Sequence, residues 1–182
     1  MRTQPPWQRD SEIGVALALC AVFGLDPESD EAIGFIRYTN RDGQNTPEAD
    51  ANRDVVYITL STIQDPSTAW ASTVYREDGS AAQTKTIPLS CLLSFYGMHA
   101  NEYAEQARSG LMLDTGPGSP RFILRDHALV PVGWPDNPVT LPEPVGGVWR
   151  LRSDLRLRLN RLQVDSYPFD PMAQPPEIIL RH

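Results

Sequence analysis

Side chains able to do chemistry are few in this chain, and their spacing does not gather them. The three histidines, His99, His127 and His182, are scattered, with no acid or cysteine at the short intervals metal sites use. Asp114 and Asp126 flank a DTGPGSP loop, but they form no recognisable acid–base pair. Gly116-Pro117-Gly118 is too short and too proline-bound to cradle a phosphate. Cys20 and Cys91 each sit inside an apolar run, which predicts two buried, unlinked thiols. No nucleophile elbow, phosphate loop, dinucleotide fingerprint or zinc pattern appears. A catalytic site would have to be assembled from scattered residues, so no enzyme activity, cofactor or metal is expected.

The charges point instead to contact chemistry. The net charge is −7 at a pI near 4.9, and all of the imbalance lies in residues 1–78, most densely between Asp26 and Asp54. Such a chain is ill suited to wrapping nucleic acid by counter-ion release. An acidic wall would instead let DNA slide past without sticking. Asp42, Glu48 and Asp50 stand in a stretch without periodicity, residues 40–53, which reads as a surface loop. The cations are arginines, with Lys85 the sole lysine, and Arg150, Arg152, Arg156 and Arg158 recur on one face of a late alternating segment. Arginine's planar fork suits paired contacts with carboxylates. The row reads either as a solvated outer face or as a contact surface toward another chain.

The elements that must position these groups centre on Leu89–Leu111. Ile87, Leu89, Cys91, Leu93 and Phe95 alternate with mostly polar neighbours, which predicts a half-buried strand. After Gly97 the period changes: Ala100, Tyr103, Ala104, Ala107 and Leu111 form one stripe of a helix that folds back on the sheet. Asp10 or Ser11 is expected to cap an apolar helix ending near Phe23, before Gly24. Residues 31–38 give a short element, strand-like at its end. Val55–Thr62 and Trp70–Arg76 read as strands, and Glu77-Asp78-Gly79-Ser80 as the hairpin joining the second to the long strand. Pro88 demands an edge or bulge. Arg121 opens a short element, residues 128–144 read as irregular, and Val148–Val164 as a strand with Leu151, Leu155, Leu157 and Leu159 on its apolar face.

At 182 residues the chain suits one domain. The expected class is α/β of the α+β type, with a single mixed, mainly antiparallel sheet flanked by helices. Its core would span residues 10–165, with extended arms at 1–9 and 166–182. Trp7 on the first arm either folds back onto its own core or docks on a neighbour. The polar start is unlike a signal peptide and no apolar run approaches a membrane span, so a soluble product of the cytoplasm is expected.

Taken whole, the chain resembles a family of phage neck or tail-terminator proteins. The resemblance rests on the N-terminal helix, the YITL strand at Tyr57–Leu60, the SFYG-x-x-A-x-x-YA run from Ser94 to Ala104, and the late strand at Arg150–Leu159. One departure is an acidic PEADANRD insertion before the YITL strand. The resemblance implies a virion protein of the tail and neck, without catalytic role. It implies a ring, hexameric in this family, that terminates the tail tube and joins it to the head connector. A head-completion or stopper protein, or a small ligand-binding or hydrolase domain, are the alternative readings. The implied partners are copies of itself, the tube with the sheath as a further candidate, the head-to-tail connector or collar protein, and genomic DNA passing through the lumen without sequence-specific binding. No membrane partner is implied. Trp7, Asp42, Glu48, Asp50, Arg150, Arg152, Arg156 and Arg158 are the candidate interface residues.

Overall fold

The computed structural model describes residues 6–39, 53–63, 71–76, 80–145 and 147–168. Two long antiparallel strands form its spine: β4 (Ser80–Tyr96) and β7 (Val148–Pro168), paired without a break from Ser80↔Pro168 to Tyr96↔Arg152. Register here is not negotiable. Leu89, Cys91, Leu93 and Phe95 pair with Leu159, Leu157, Leu155 and Ser153, so a one-residue slip would turn the whole apolar set to the other face. β2 (Val55–Thr62) lies antiparallel on the other edge of β4, with β1 (Ile36–Tyr38) parallel outside it. β3 (Ser72–Tyr75) continues along β4 beyond β2. β5 (Leu129–Pro131) and β6 (Val139–Val145) pair with successive parts of β7. Among the described residues the result is one mixed, open sheet of seven strands in an α+β fold, as the alternation predicted.

The helices cover one face of that sheet. α1 (Pro6–Phe23), α2 (Asp30–Phe35), α3 (Ala100–Gly110) and α4 (Pro120–Asp126) share a core with the apolar positions of β2, β4 and β7. The predicted stripe holds: Ala100, Ala104, Ala107 and Leu111 are buried, with Tyr103 half-buried against Phe23 and Phe35. Small residues let the helices approach. A Cβ on Gly110 would meet Val22 of α1 at 2.6 Å, and one on Gly14 would meet Cβ of His127 at the same distance. Cys20 and Cys91 are both buried free thiols.

Several sequence expectations need correction. α1 begins at Pro6, within the stretch read as an arm, because proline's missing N–H costs nothing in a first helical turn. Ser11 is therefore not a cap; its hydroxyl donates to the Trp7 carbonyl at 2.8 Å inside the helix. β7 runs on to Pro168, past the expected start of the second arm, and residues 169–182 lie outside the described residues. Residues 128–144, read as irregular, hold β5 and all of β6 but its last residue, Val145. Pro142 and Pro144 oppose Leu151 and Trp149. Among the described residues β6 pairs only with β7, so it is an edge strand, the place in a sheet where proline's missing N–H is tolerated. Leu151 is 54% exposed rather than core, because β7 outruns the helices at that end. Pro88 falls where β2 runs out. Ile63 donates its N–H to the Pro88 carbonyl at 2.9 Å, and proline has no N–H to return.

Candidate interaction surface

Positions 150, 152, 156 and 158 of β7 alternate with the core leucines, so all four arginines project from the face opposite the helices. Tyr96, Ser94, Leu92 and Ser90 of β4 share that face, as do Val55 and Tyr57 of β2 and Glu143 of β6. The structure thus gathers the four arginines on one surface, but it gives them different work.

Arg152 is consumed by the fold. Its Nε and one terminal nitrogen donate to the two carboxylate oxygens of Asp154, each at 2.7 Å, and its other terminal nitrogen donates to Oε2 of Glu143 at 3.3 Å. The Tyr96 hydroxyl donates to the same Glu143 oxygen at 2.7 Å. The guanidinium also lies 5.9 Å from the Tyr96 ring centre, and Tyr96 meets Tyr57 edge-on at 5.6 Å. Burial and the Glu143 carboxylate push the Tyr96 phenol well above its ordinary value, so it remains a donor across the working pH range. Arg152 is likewise held firmly protonated, chiefly by its bonds to Asp154. Together these groups clamp β6 and β4 onto β7 over a small buried cluster of Val55 and Tyr96.

Arg156 and Arg158 are free for outside work. Both are exposed, and among the described residues neither makes an ion pair or a side-chain hydrogen bond. Arg150 is intermediate. It stands opposite Glu143 in register, yet Glu143 is engaged with Arg152 and Tyr96, and Nε of Arg150 is buried without a hydrogen-bond partner among the described residues. Arg37 on β1 adds another exposed cation at the far edge, paired in register with Tyr57.

The other candidates lie elsewhere. Trp7 is half-buried on the helix side, where it packs against its own core beside Leu60 and Leu89. It is not adjacent to the arginine row. Asp42, Glu48 and Asp50 lie outside the described residues.

Exposed apolar side chains at both ends of the sheet were not anticipated from sequence. Trp149 and Leu151 are 71% and 54% exposed near the β6–β7 turn. At the other end Tyr75 and Tyr167 are exposed on the helix side of the sheet, and Val74, Leu162 and Val164 on the side the arginines share. Of these only Leu151 was expected on the apolar face with the core leucines, and its exposure marks where the helical cover ends. Two histidine–carboxylate pairs were also missed. Asp10 of α1 joins His127 at 3.0 Å and Arg161 of β7 at 3.0 Å, pinning α1 to the sheet and to the end of α4. Burial raises the Asp10 carboxyl, but the His127 and Arg161 bonds outweigh it, so the group ionises below its ordinary value. Asp54 pairs with His99 at 2.9 Å and accepts from its backbone N–H, tying the start of β2 to the start of α3. These partners are 117 and 45 positions apart, so no local pattern could show them. Among the described residues no group of histidines, cysteines and acids is placed to hold a metal. No described helix is long and apolar enough to cross a membrane.

Fold and surface define the class as a small α+β protein, one open sheet with helices on one side and a charged face on the other. The family model for phage neck terminator proteins matches residues 15–179, and the chain belongs to that family. It is therefore a structural protein of the bacteriophage neck. Comparison with curated proteins finds no match.

Proposed function

We propose that copies of this chain close into a ring, six-membered as the resemblance implies, that terminates the tail tube and joins it to the head connector. The ring has no catalytic role, and genomic DNA passes through its lumen without sequence-specific contacts. The family match over residues 15–179 carries the reading. The surface gives it a mechanism. A closed ring of identical subunits needs two different, complementary patches on each. The exposed cations Arg156 and Arg158 supply one patch, and the acidic stretch with Asp42, Glu48 and Asp50 supplies the other. The exposed apolar ends of the sheet, Trp149 and Leu151 at one and Val164 and Tyr167 at the other, supply area for the tube and the connector.

Mass photometry of the purified protein, alone and with tube subunits, tests this. The expected result is a discrete closed oligomer whose population falls when Arg156 and Arg158 are both changed to Glu, and recovers in part when Asp42, Glu48 and Asp50 are changed to Lys in the same chain. A protein that stays monomeric at all concentrations and never associates with tubes contradicts the proposal.

A further inference from the structure

At one end the sheet narrows to a ribbon of three strands: β3, residues 80–86 of β4 and residues 162–168 of β7. β2 reaches only to the Thr62↔Leu89 pair, and β5 only to Leu129↔Arg161. β4 lies in the middle, so the ribbon has two outer edges, one along β3 and one along β7. Among the described residues neither edge meets another strand.

Three hydrogen bonds fix which backbone groups these edges present. Arg76 donates its N–H to the Ser80 carbonyl at 2.8 Å, in register with the β3–β4 pairs. Ser72 and Val74 therefore serve β4, and Thr73 between them turns its N–H and carbonyl outward. On β7, Leu162 donates to the Ala128 carbonyl at 3.0 Å and the Arg158 carbonyl accepts from Val132 at 2.9 Å. Even positions of β7 thus face away from β4, and Val164 and Ser166 are the next two. Among the described residues the outward groups of Thr73, Val164 and Ser166 make no hydrogen bond.

Natural sheet edges are guarded by charge or proline, as β6 is by Pro142 and Pro144. β3 reads Ser-Thr-Val-Tyr and carries neither. Along residues 163–167 the one charge is Asp165, which Lys85 of β4 neutralises at 3.3 Å.

The two bare edges fit each other. β3 and β7 are both antiparallel to β4, so they run in the same direction. They flank β4 and face opposite ways, so one chain cannot join its own two edges. In a parallel ladder a residue bonds the two neighbours of the residue opposite it. With Thr73 opposite Asp165 of a second copy, the Thr73 N–H reaches that copy's Val164 carbonyl, and the Thr73 carbonyl accepts from its Ser166 N–H. Tyr75 then stands beside Tyr167 of that copy on one face, and Val74 lies diagonal to its Val164 on the other; all four side chains are exposed in the single chain. Pairing β3 with β3 about a twofold would satisfy one edge and leave the other bare.

We infer that β3 of one copy pairs in parallel with residues 163–167 of the next, joining the ribbons of neighbouring subunits into one continuous sheet. This rests on the ring reading above and adds a backbone contact to its charged one. The contact is heterologous, and repeating it round a ring leaves no bare edge at that end.

Disulfide formation with copper–phenanthroline tests the pairing. The register sets Ser72 of one copy opposite Val164 of the next; both are exposed, and unsubstituted protein, whose two thiols are buried, is the control. Within one chain Ser72 and Val164 flank Thr84, two strand spacings or about 10 Å apart, beyond the roughly 7 Å a disulfide can bridge. Mixing Ser72→Cys with Val164→Cys copies should give a covalent dimer that neither variant gives alone, and the double variant should give a ladder. Thr73→Pro removes the outward N–H without touching the β3–β4 bonds. Its circular dichroism should stay native while the concentration for half-assembly by mass photometry rises about tenfold, the loss of about one backbone hydrogen bond per contact. Ser72→Cys dimers that form alone as readily as the mixed dimer overturn the pairing in favour of a twofold at β3. No mixed dimer from a protein that assembles, or native assembly of Thr73→Pro, overturns it and leaves the ring reading intact. Mixed dimers from a native protein that never exceeds a dimer sustain the pairing and overturn the ring.

Discussion

Replacing Arg152 with alanine separates the two kinds of arginine on β7. The side chain makes three charge-assisted hydrogen bonds to Asp154 and Glu143, and it is only 25% exposed, with Asp154 at 18%. Removing it leaves two carboxylates facing the same vacated space, one of them also holding the Tyr96 hydroxyl. Breaking a fully buried pair costs about 3–5 kcal/mol, and hydrogen bonds to charged groups are worth about 1.5–3 kcal/mol each. Glu143 is 35% exposed and water will recover part of its loss, so the cost should be about 2–3 kcal/mol. In a domain of this size that lowers the melting temperature by about 5–10 °C. Arg156→Ala and Arg158→Ala, with no partner among the described residues, should each stay within about 0.5 kcal/mol. Urea unfolding by far-UV circular dichroism, at one protein concentration for all three variants, gives the comparison. If Arg152→Ala costs no more than Arg156→Ala, the clamp over Tyr96 does not hold the sheet and the sorting of the arginine row is wrong.

Further predictions follow from the packing and the charged pairs. Gly14→Ala places a Cβ 2.6 Å from Cβ of His127, which Asp10 holds in place, so α1 must shift and stability should fall by about 1–3 kcal/mol by urea unfolding. Leu93→Ala empties a fully buried site between the sheet and the helices and should cost about 3–5 kcal/mol in the same assay. The His99–Asp54 pair raises the histidine's proton affinity, through the Asp54 hydrogen bond first and its charge second. Its stabilising effect is therefore complete below the ordinary imidazole range and is lost as pH rises through the raised value. The melting-temperature advantage of the native protein over His99→Gln should shrink as pH rises from the ordinary imidazole range upward, and an advantage that grows with pH would refute the pairing. Burial pushes the Cys91 thiol well above its ordinary value, with the Glu12 charge adding to it. Native protein should therefore leave this thiol unlabelled by an aromatic disulfide reagent until denaturant is added.

The legible part of this fold was the part governed by period. Alternation from Ile87 to Phe95 and the helical stripe from Ala100 to Leu111 each describe one element meeting one core, and both formed as read. The illegible part depended on cover and on distance. Leu151 alternates in phase with Leu155, yet it is exposed, because no sequence period records where a helix stops covering a strand. β6 was hidden by Pro142 and Pro144, whose effect depends on which edge their missing donors face. The arginine row was visible as a row, but not its division of labour. Arg152 and Asp154 share a face two residues apart, a signal that was available, whereas Glu143 reaches them only through the β6–β7 pairing. Asp10, His127 and Arg161 meet from three distant segments and left no local trace.

The ring proposed for this neck protein caps the tail tube, and negative-stain imaging of tube protein polymerised with and without it is the direct test. Capped tubes should show ring-shaped density at one end, and their growth should halt there. Bare tube ends and unchanged tube growth, with the purified protein monomeric beside them, would contradict it.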